Sequence, residues 1–223
     1  MTLRALAVVL VALVLTGCGG SGEDEGTARL WVTRDRGATV LVDAEVQAGQ
    51  TLMRALASEV EIETRYGGRY LQALDGLEGS LERQRDWFWF VNGYEGDRSA
   101  AEYRLRAGDV AWWDYRVWER EGETRVVVGA FPEPFLHGYG GKRRPAVVRF
   151  ADGVDAQARE LGSTIGAQSV APLGTPVPKG ANVLEIRAGA PSLTGTLSGE
   201  SAGDPVYFVL SGDVDATRRY EVP

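Results

Sequence analysis

One cysteine and one histidine are all that 223 residues contain of either type, and each scarcity closes off chemistry. With Cys18 alone no disulfide can form within the chain, so its domains must hold together by packing. His137 cannot form a histidine cluster by itself, and the lack of a second cysteine removes the usual thiolate metal sites. No nucleophile lies beside a base in the pattern that covalent catalysis needs. Glu23-Asp24-Glu25 is followed by no regular oxygen-ligand spacing, so it is a solvated tether and not a calcium loop. The glycines between residues 189 and 203 do not sit between a strand and a helix, as a phosphate-cradling loop would require. Together these absences predict a protein that is not an enzyme and has no catalytic or metal-ligating set. Acidic side chains outnumber basic ones by 31 to 24, a net charge of −7, which disfavours nucleic acid as a partner because that binding rests on cation–phosphate contacts. No fixed-period repeat is visible.

What is present begins at the N-terminus. Arg4 precedes an apolar run over residues 5–15, and Leu15-Thr16-Gly17-Cys18 closes it in the pattern of a bacterial lipobox. The run is shorter than the ~20 apolar residues of a spanning helix. Residues 1–17 are therefore predicted to be a signal peptide, with Cys18 as the lipidated new N-terminus and residues 18–27 as a flexible tether. Two acyl chains, palmitate among them, would hold the protein at the extracytoplasmic face of a bacterial membrane.

The remainder divides in two. Leu30-Trp31-Val32 and the run Val40-Leu41-Val42 to Val46 predict a first hairpin. Leu52, Met53, Leu56 and Val60 recur at helical spacing behind Thr51, predicting a helix over residues 52–59 with Thr51 as its N-cap. Ile62 to Tyr66 and Arg69 to Ala73 flank Gly67-Gly68, the composition of a two-residue hairpin turn. Two aromatic strands follow, Trp87-Phe88-Trp89-Phe90-Val91 ending in an Asn92-Gly93 turn, and Val110-Ala111-Trp112-Trp113-Asp114-Tyr115. Residues 126–144 contain Phe131-Pro132-Glu133-Pro134 and several glycines, and mark a linker. Beyond it, strands near residues 146–150, 183–187 and 206–210 with a helix over 154–161 predict a small α/β domain across residues 145–223. The fold class is α+β, a β-grasp-like N-terminal domain over residues 28–125 followed by this second, smaller α/β unit.

Residues 29–119 resemble the transcobalamin-like C-terminal domain of bacterial lipoproteins and of the cobalamin carriers. The likeness rests on Gly49-Gln50-Thr51-Leu52 opening the helix, Trp87-Phe88-Trp89-Phe90-Val91-Asn92-Gly93, and Leu105-Arg106-Ala107-Gly108-Asp109 leading into the second aromatic strand. It implies a β-grasp surface facing a ligand, with cobalamin as one such ligand and no other cofactor. The helical barrel of the animal carriers has no counterpart in this chain.

Alternation along a strand sends successive rings to opposite faces, so half of the aromatic residues require an explanation other than a core under the helix. Either they meet the C-terminal unit or they form a platform for a ligand. On the second alternative the ligand-binding residues are Trp87, Trp89, Asn92, Tyr94, Trp112, Trp113 and Tyr115. His137 is a packed or solvated loop residue, or an axial ligand to a corrinoid cobalt. Lys142-Arg143-Arg144 is a solvated charge cluster in a loop, with a phosphate site as the sharper alternative. The function these features predict is a membrane-tethered binding protein that takes up a small amphipathic ligand, such as a corrinoid, and hands it to a transporter. The alternative is an interaction module that docks another envelope protein through its aromatic face. A tryptophan-lined cleft between the halves would favour the first, and a flat exposed aromatic patch the second.

Overall fold

The computed structural model describes residues 25–118 and 125–213. Cys18 and residues 1–17, expected to be a signal peptide, lie outside the described residues. The chain opens with β1 (Thr27–Arg34) and β2 (Thr39–Gln47), an antiparallel hairpin whose register shifts between Val32 and Thr33. α1 (Leu52–Glu59) then packs Leu52, Met53, Ala55 and Leu56 inward, and Thr51 Oγ1 accepts from Arg54 N at 3.3 Å as its N-cap. β3 (Ile62–Arg65), β4 (Tyr70–Leu74) and β5 (Leu77–Glu78) make a small antiparallel sheet. The β3–β4 connection is longer than the two-residue turn predicted: Arg65 pairs with Tyr70, and Tyr66, Gly67 and Gly68 all take positive φ. β6 (Arg85–Val91), β7 (Tyr94–Glu95) and β8 (Val110–Val117) complete the first large sheet, in the order β2-β1-β8-β6-β7. Its central pair, β1 with β8, is parallel. A hairpin, a helix and a last strand returning beside the first give the β-grasp-like arrangement.

The second sheet combines β9 (Ala146–Phe150), β10 (Ser169–Pro172), β11 (Asn182–Arg187), β12 (Ser192–Leu197) and β13 (Val206–Ser211) in the order β10-β9-β11-β13-β12, with α2 (Asp155–Thr164) between β9 and β10 in the chain. All its pairings are parallel except that of β12 with β13. The protein is thus α+β, with two short helices on mainly strand structure among the described residues.

Residues 126–144 join the two sheets and are themselves packed. Val126, Val127, Val128, Ala130, Phe131, Phe135 and Tyr139 are buried. Phe135 stands edge-on to Phe208 of β13 at 5.4 Å, and Tyr139 edge-on to Tyr94 of β7 at 5.8 Å. One apolar cluster therefore runs from α1 and β4 through this connection to β9, β11 and β13. Val126 makes an isolated antiparallel bridge to Tyr94.

Candidate functional site

The two aromatic strands pair as predicted, with Trp87 opposite Tyr115, Trp89 opposite Trp113 and Phe90 opposite Trp112. Alternation then sorts the rings cleanly. Trp87, Trp89, Trp113 and Tyr115 face α1 and β4, while Trp31, Phe90 and Trp112 face the opposite way. The expectation that one parity looks outward is corrected by what covers it: Val127 and Ala130 of the connecting segment close over Trp31, Phe90 and Trp112. Trp112 is 0% exposed and its Nε1 donates to Thr33 Oγ1 at 2.7 Å. Trp87 donates from Nε1 to Leu77 O, and the Tyr115 hydroxyl donates to Glu78 O. Trp113 is buried and Trp89 is half-buried, lying against Gly96 so closely that a Cβ there would come within 2.0 Å of its ring. Tyr94 is buried too and reaches the C-terminal unit, its hydroxyl donating to Asp204 O at 3.1 Å. These six rings form the core and the junction. They offer no open platform.

Asn92, the seventh expected site residue, is a clasp. It sits in the β6–β7 turn at φ 50° and is fully buried. Its Nδ2 donates to Asp109 Oδ1 and to Gly138 O, each at 2.7 Å, and its Oδ1 accepts from Val110 N at 2.8 Å. One side chain thus ties the end of β6 to the start of β8 and to the connecting segment. Burial raises the Asp109 carboxyl above its ordinary pKa, against the bonds from Arg106 N and Asn92.

His137 stands beside the clasp. Its Nδ1 lies 2.5 Å from Oε1 of the buried Glu133, its backbone N–H also bonds Glu133, and its Nε2 lies over Gly108. The hydrogen bond to Glu133 raises the His137 pKa. Among the described residues no group of three or more His, Cys, Asp or Glu is placed to hold a metal ion, and no helix is long and apolar enough to cross a membrane.

A cleft of about 820 Å³ opens where the two units meet. Its walls come from the β7–β8 connection (Asp97, Arg98, Glu102, Tyr103, Arg104, Arg106), the connecting segment (Tyr139 to Pro145) and the β12–β13 turn (Ala202 to Asp204). None of the six aromatic residues expected as ligands lines it, and neither does His137. Its aromatic walls are Tyr103 and Tyr139, with ring centroids 5.2 Å apart, and Trp89 stands behind Tyr103 at 5.7 Å. Burial keeps both phenols protonated by raising their pKa.

Six cationic side chains line this cleft against three carboxylates, in a chain of net charge −7. Asp97 is held by Arg98 at 2.7 Å and by the Tyr139 hydroxyl, and the Arg98 bond leads the causes that lower its pKa. Glu102 pairs with Arg69 at 2.6 Å, and Asp204 faces Arg144 at 3.5 Å. Of the predicted basic cluster, Arg143 donates to Phe135 O and Ile165 O, and Arg144 donates to Gly203 O. These two arginines are structural staples, which the sequence could not show. Lys142 is exposed beside them. Tyr103, Arg104 and Tyr139 were missed because nothing in their local sequence marks them.

Comparison with known proteins finds a family model over part of the chain. A domain of unknown function, DUF4430, matches residues 49–116. No functionally curated protein matches. Among solved structures, a candidate metal-binding protein from Ruminococcus gnavus ATCC 29149 is 19% identical with a TM-score of 0.37, covering 43% of this chain and all of its own. Haptocorrin in complex with Cbi is 14% identical with a TM-score of 0.37, and the match covers 48% of this chain but only 28% of haptocorrin.

Proposed function

We propose that this protein is a lipid-anchored extracytoplasmic binding protein that captures a small molecule in the cleft between its two units and releases it to a transporter, without catalysis. The observation that carries this reading is the cleft itself, lined by residues of both units and of the packed connection, at a volume typical of small-ligand sites. The internal closure of both aromatic faces supports a pocket over a flat docking surface, because no tryptophan patch is left for a partner. The Leu15-Thr16-Gly17-Cys18 pattern supports the anchor.

Cobalamin and cobinamide are the first probes, since residues 29–119 resemble the transcobalamin-like domain. Titrated into the detergent-solubilised full chain, a ligand should quench tryptophan emission saturably, with Trp89 nearest the cleft. Pro145→Trp, which places a ring at an exposed position on the cleft wall, should abolish the quenching without lowering the melting temperature. Quenching that persists unchanged in Pro145→Trp would move the site elsewhere, and no quenching by either probe would remove corrinoids as the ligand class. For the anchor, labelled palmitate should enter the wild-type protein and not Cys18→Ser; label in both would refute it.

A further inference from the structure

We infer that the cleft recognises a soluble small molecule through a phosphate or carboxylate group, held by Arg104 and Lys142 with the Tyr103 hydroxyl as a third donor. This rests on the cleft being the ligand site. It follows from asking which charges lining the cleft are already neutralised. All three carboxylates are engaged by cations, one of which, Arg69, stands outside the lining. Among the described residues Arg143 bonds backbone carbonyls, which orient a guanidinium without cancelling its charge. Arg104 gives Nη1 to Gly49 O at 2.7 Å and meets no carboxylate among the described residues. Lys142 has no side-chain partner among them. The Tyr103 hydroxyl accepts from Gly140 N at 3.2 Å, and its own proton has no acceptor among the described residues. Held protonated by burial, it keeps that proton to offer to a ligand oxygen.

A concave site with surplus cations in an otherwise acidic protein focuses a positive potential that draws anions and turns them away from the surrounding surface. Arginine offers a planar fork that matches phosphate or carboxylate oxygens, and lysine offers a point charge beside it. The tyrosine walls suit an organic body attached to that anionic group.

The test uses pyrophosphate and citrate as minimal probes, read by tryptophan emission and by melting temperature on the full chain in detergent. Both anions should bind saturably, and raising salt from ~0.05 M to ~0.5 M should weaken them about tenfold by screening. Arg104→Gln/Lys142→Gln should weaken them about tenfold or more, and Tyr103→Phe less. Arg83→Gln, an exposed arginine outside the cleft, should change nothing. Both cleft cations are exposed, so the double variant should melt as wild type does; should it not fold, Lys142→Gln alone carries the same comparison. Failure of either anion to bind, or equal binding by wild type and the cation variants, overturns the inference. Cobinamide carries no phosphate, which separates the two readings. If it is blocked by Pro145→Trp but indifferent to the cation variants, the charge assignment fails while the cleft stands; if Pro145→Trp affects no probe at all, the cleft itself is refuted.

Discussion

Replacing Asn92 with alanine removes three hydrogen bonds at once, two buried and one part-buried, leaving Val110 N–H, Gly138 O and one Asp109 oxygen without that partner. Each buried polar group left unpaired costs about 1–2 kcal/mol. The Asp109 carboxylate keeps Arg106 N at 2.9 Å, so its share falls at the low end. The backbone adds to this: at φ 50° asparagine is tolerated better than alanine, by about 1 kcal/mol. The expected loss is therefore about 4–6 kcal/mol, a large fraction of the ~5–15 kcal/mol that holds a typical domain. For a protein of this size it corresponds to a melting temperature lower by roughly 10–20 °C. Thermal melts followed by circular dichroism should show it. Asn92→Gly loses the same bonds without the strain and should recover about 1 kcal/mol relative to alanine. A melting temperature for Asn92→Ala within ~2 °C of wild type would refute the clasp, and equal losses for alanine and glycine would refute the backbone contribution.

Two further outcomes follow from burial and charge. Since the folded state raises the His137 pKa, its stabilising contribution is present below the ordinary value of 6.5 and fades as pH rises through the higher folded-state value. The melting temperature of wild type should thus fall relative to His137→Gln on going from about pH 6 to above the raised value, and parallel curves would show that the Glu133 contact does not couple to folding. Among the tryptophans, Trp112→Ala should cost about 3–5 kcal/mol in urea unfolding, and the half-buried Trp89→Ala about 1–2 kcal/mol less than that, so equal losses would contradict the packing described.

Strong local signals survived translation into structure. The spacing of Leu52, Met53 and Leu56 behind Thr51 gave α1 its bounds, because one amphipathic turn and one cap suffice to define a short helix. The paired aromatic strands were legible for the same reason. β10 and β12 were not: Ser169–Pro172 is four residues ending in proline, and Ser192–Leu197 carries threonines and a glycine at a sheet edge, where burial imposes no apolar pattern. The aromatic platform failed on a different count. Alternation required an explanation for the second face, but its cover, Val127 and Ala130, lies in a proline- and glycine-rich stretch with no period to read. The cleft was invisible because its walls are drawn from three distant stretches that only the tertiary fold brings together. Lys142-Arg143-Arg144 was its one sequence trace.

Two arginines of that basic cluster hold together segments around the cleft. Arg143 bonds carbonyls of the connecting segment and of the residue after α2, and Arg144 reaches Gly203 O and Asp204 in the β12–β13 turn. Arg143 therefore ties the connecting segment to the end of α2, and Arg144 ties it to the β12–β13 turn that lines the cleft. Asn92 fixes the same connection to the start of β8 through Gly138, next to Tyr139. Walls held this way lose little conformational freedom when a ligand enters, so more of its contact energy remains as affinity. Arg104 and Lys142, the cations assigned to the anion, gain most from such a frame: fixed walls set their spacing, and spacing is what lets a surface charge select one oxyanion geometry over another.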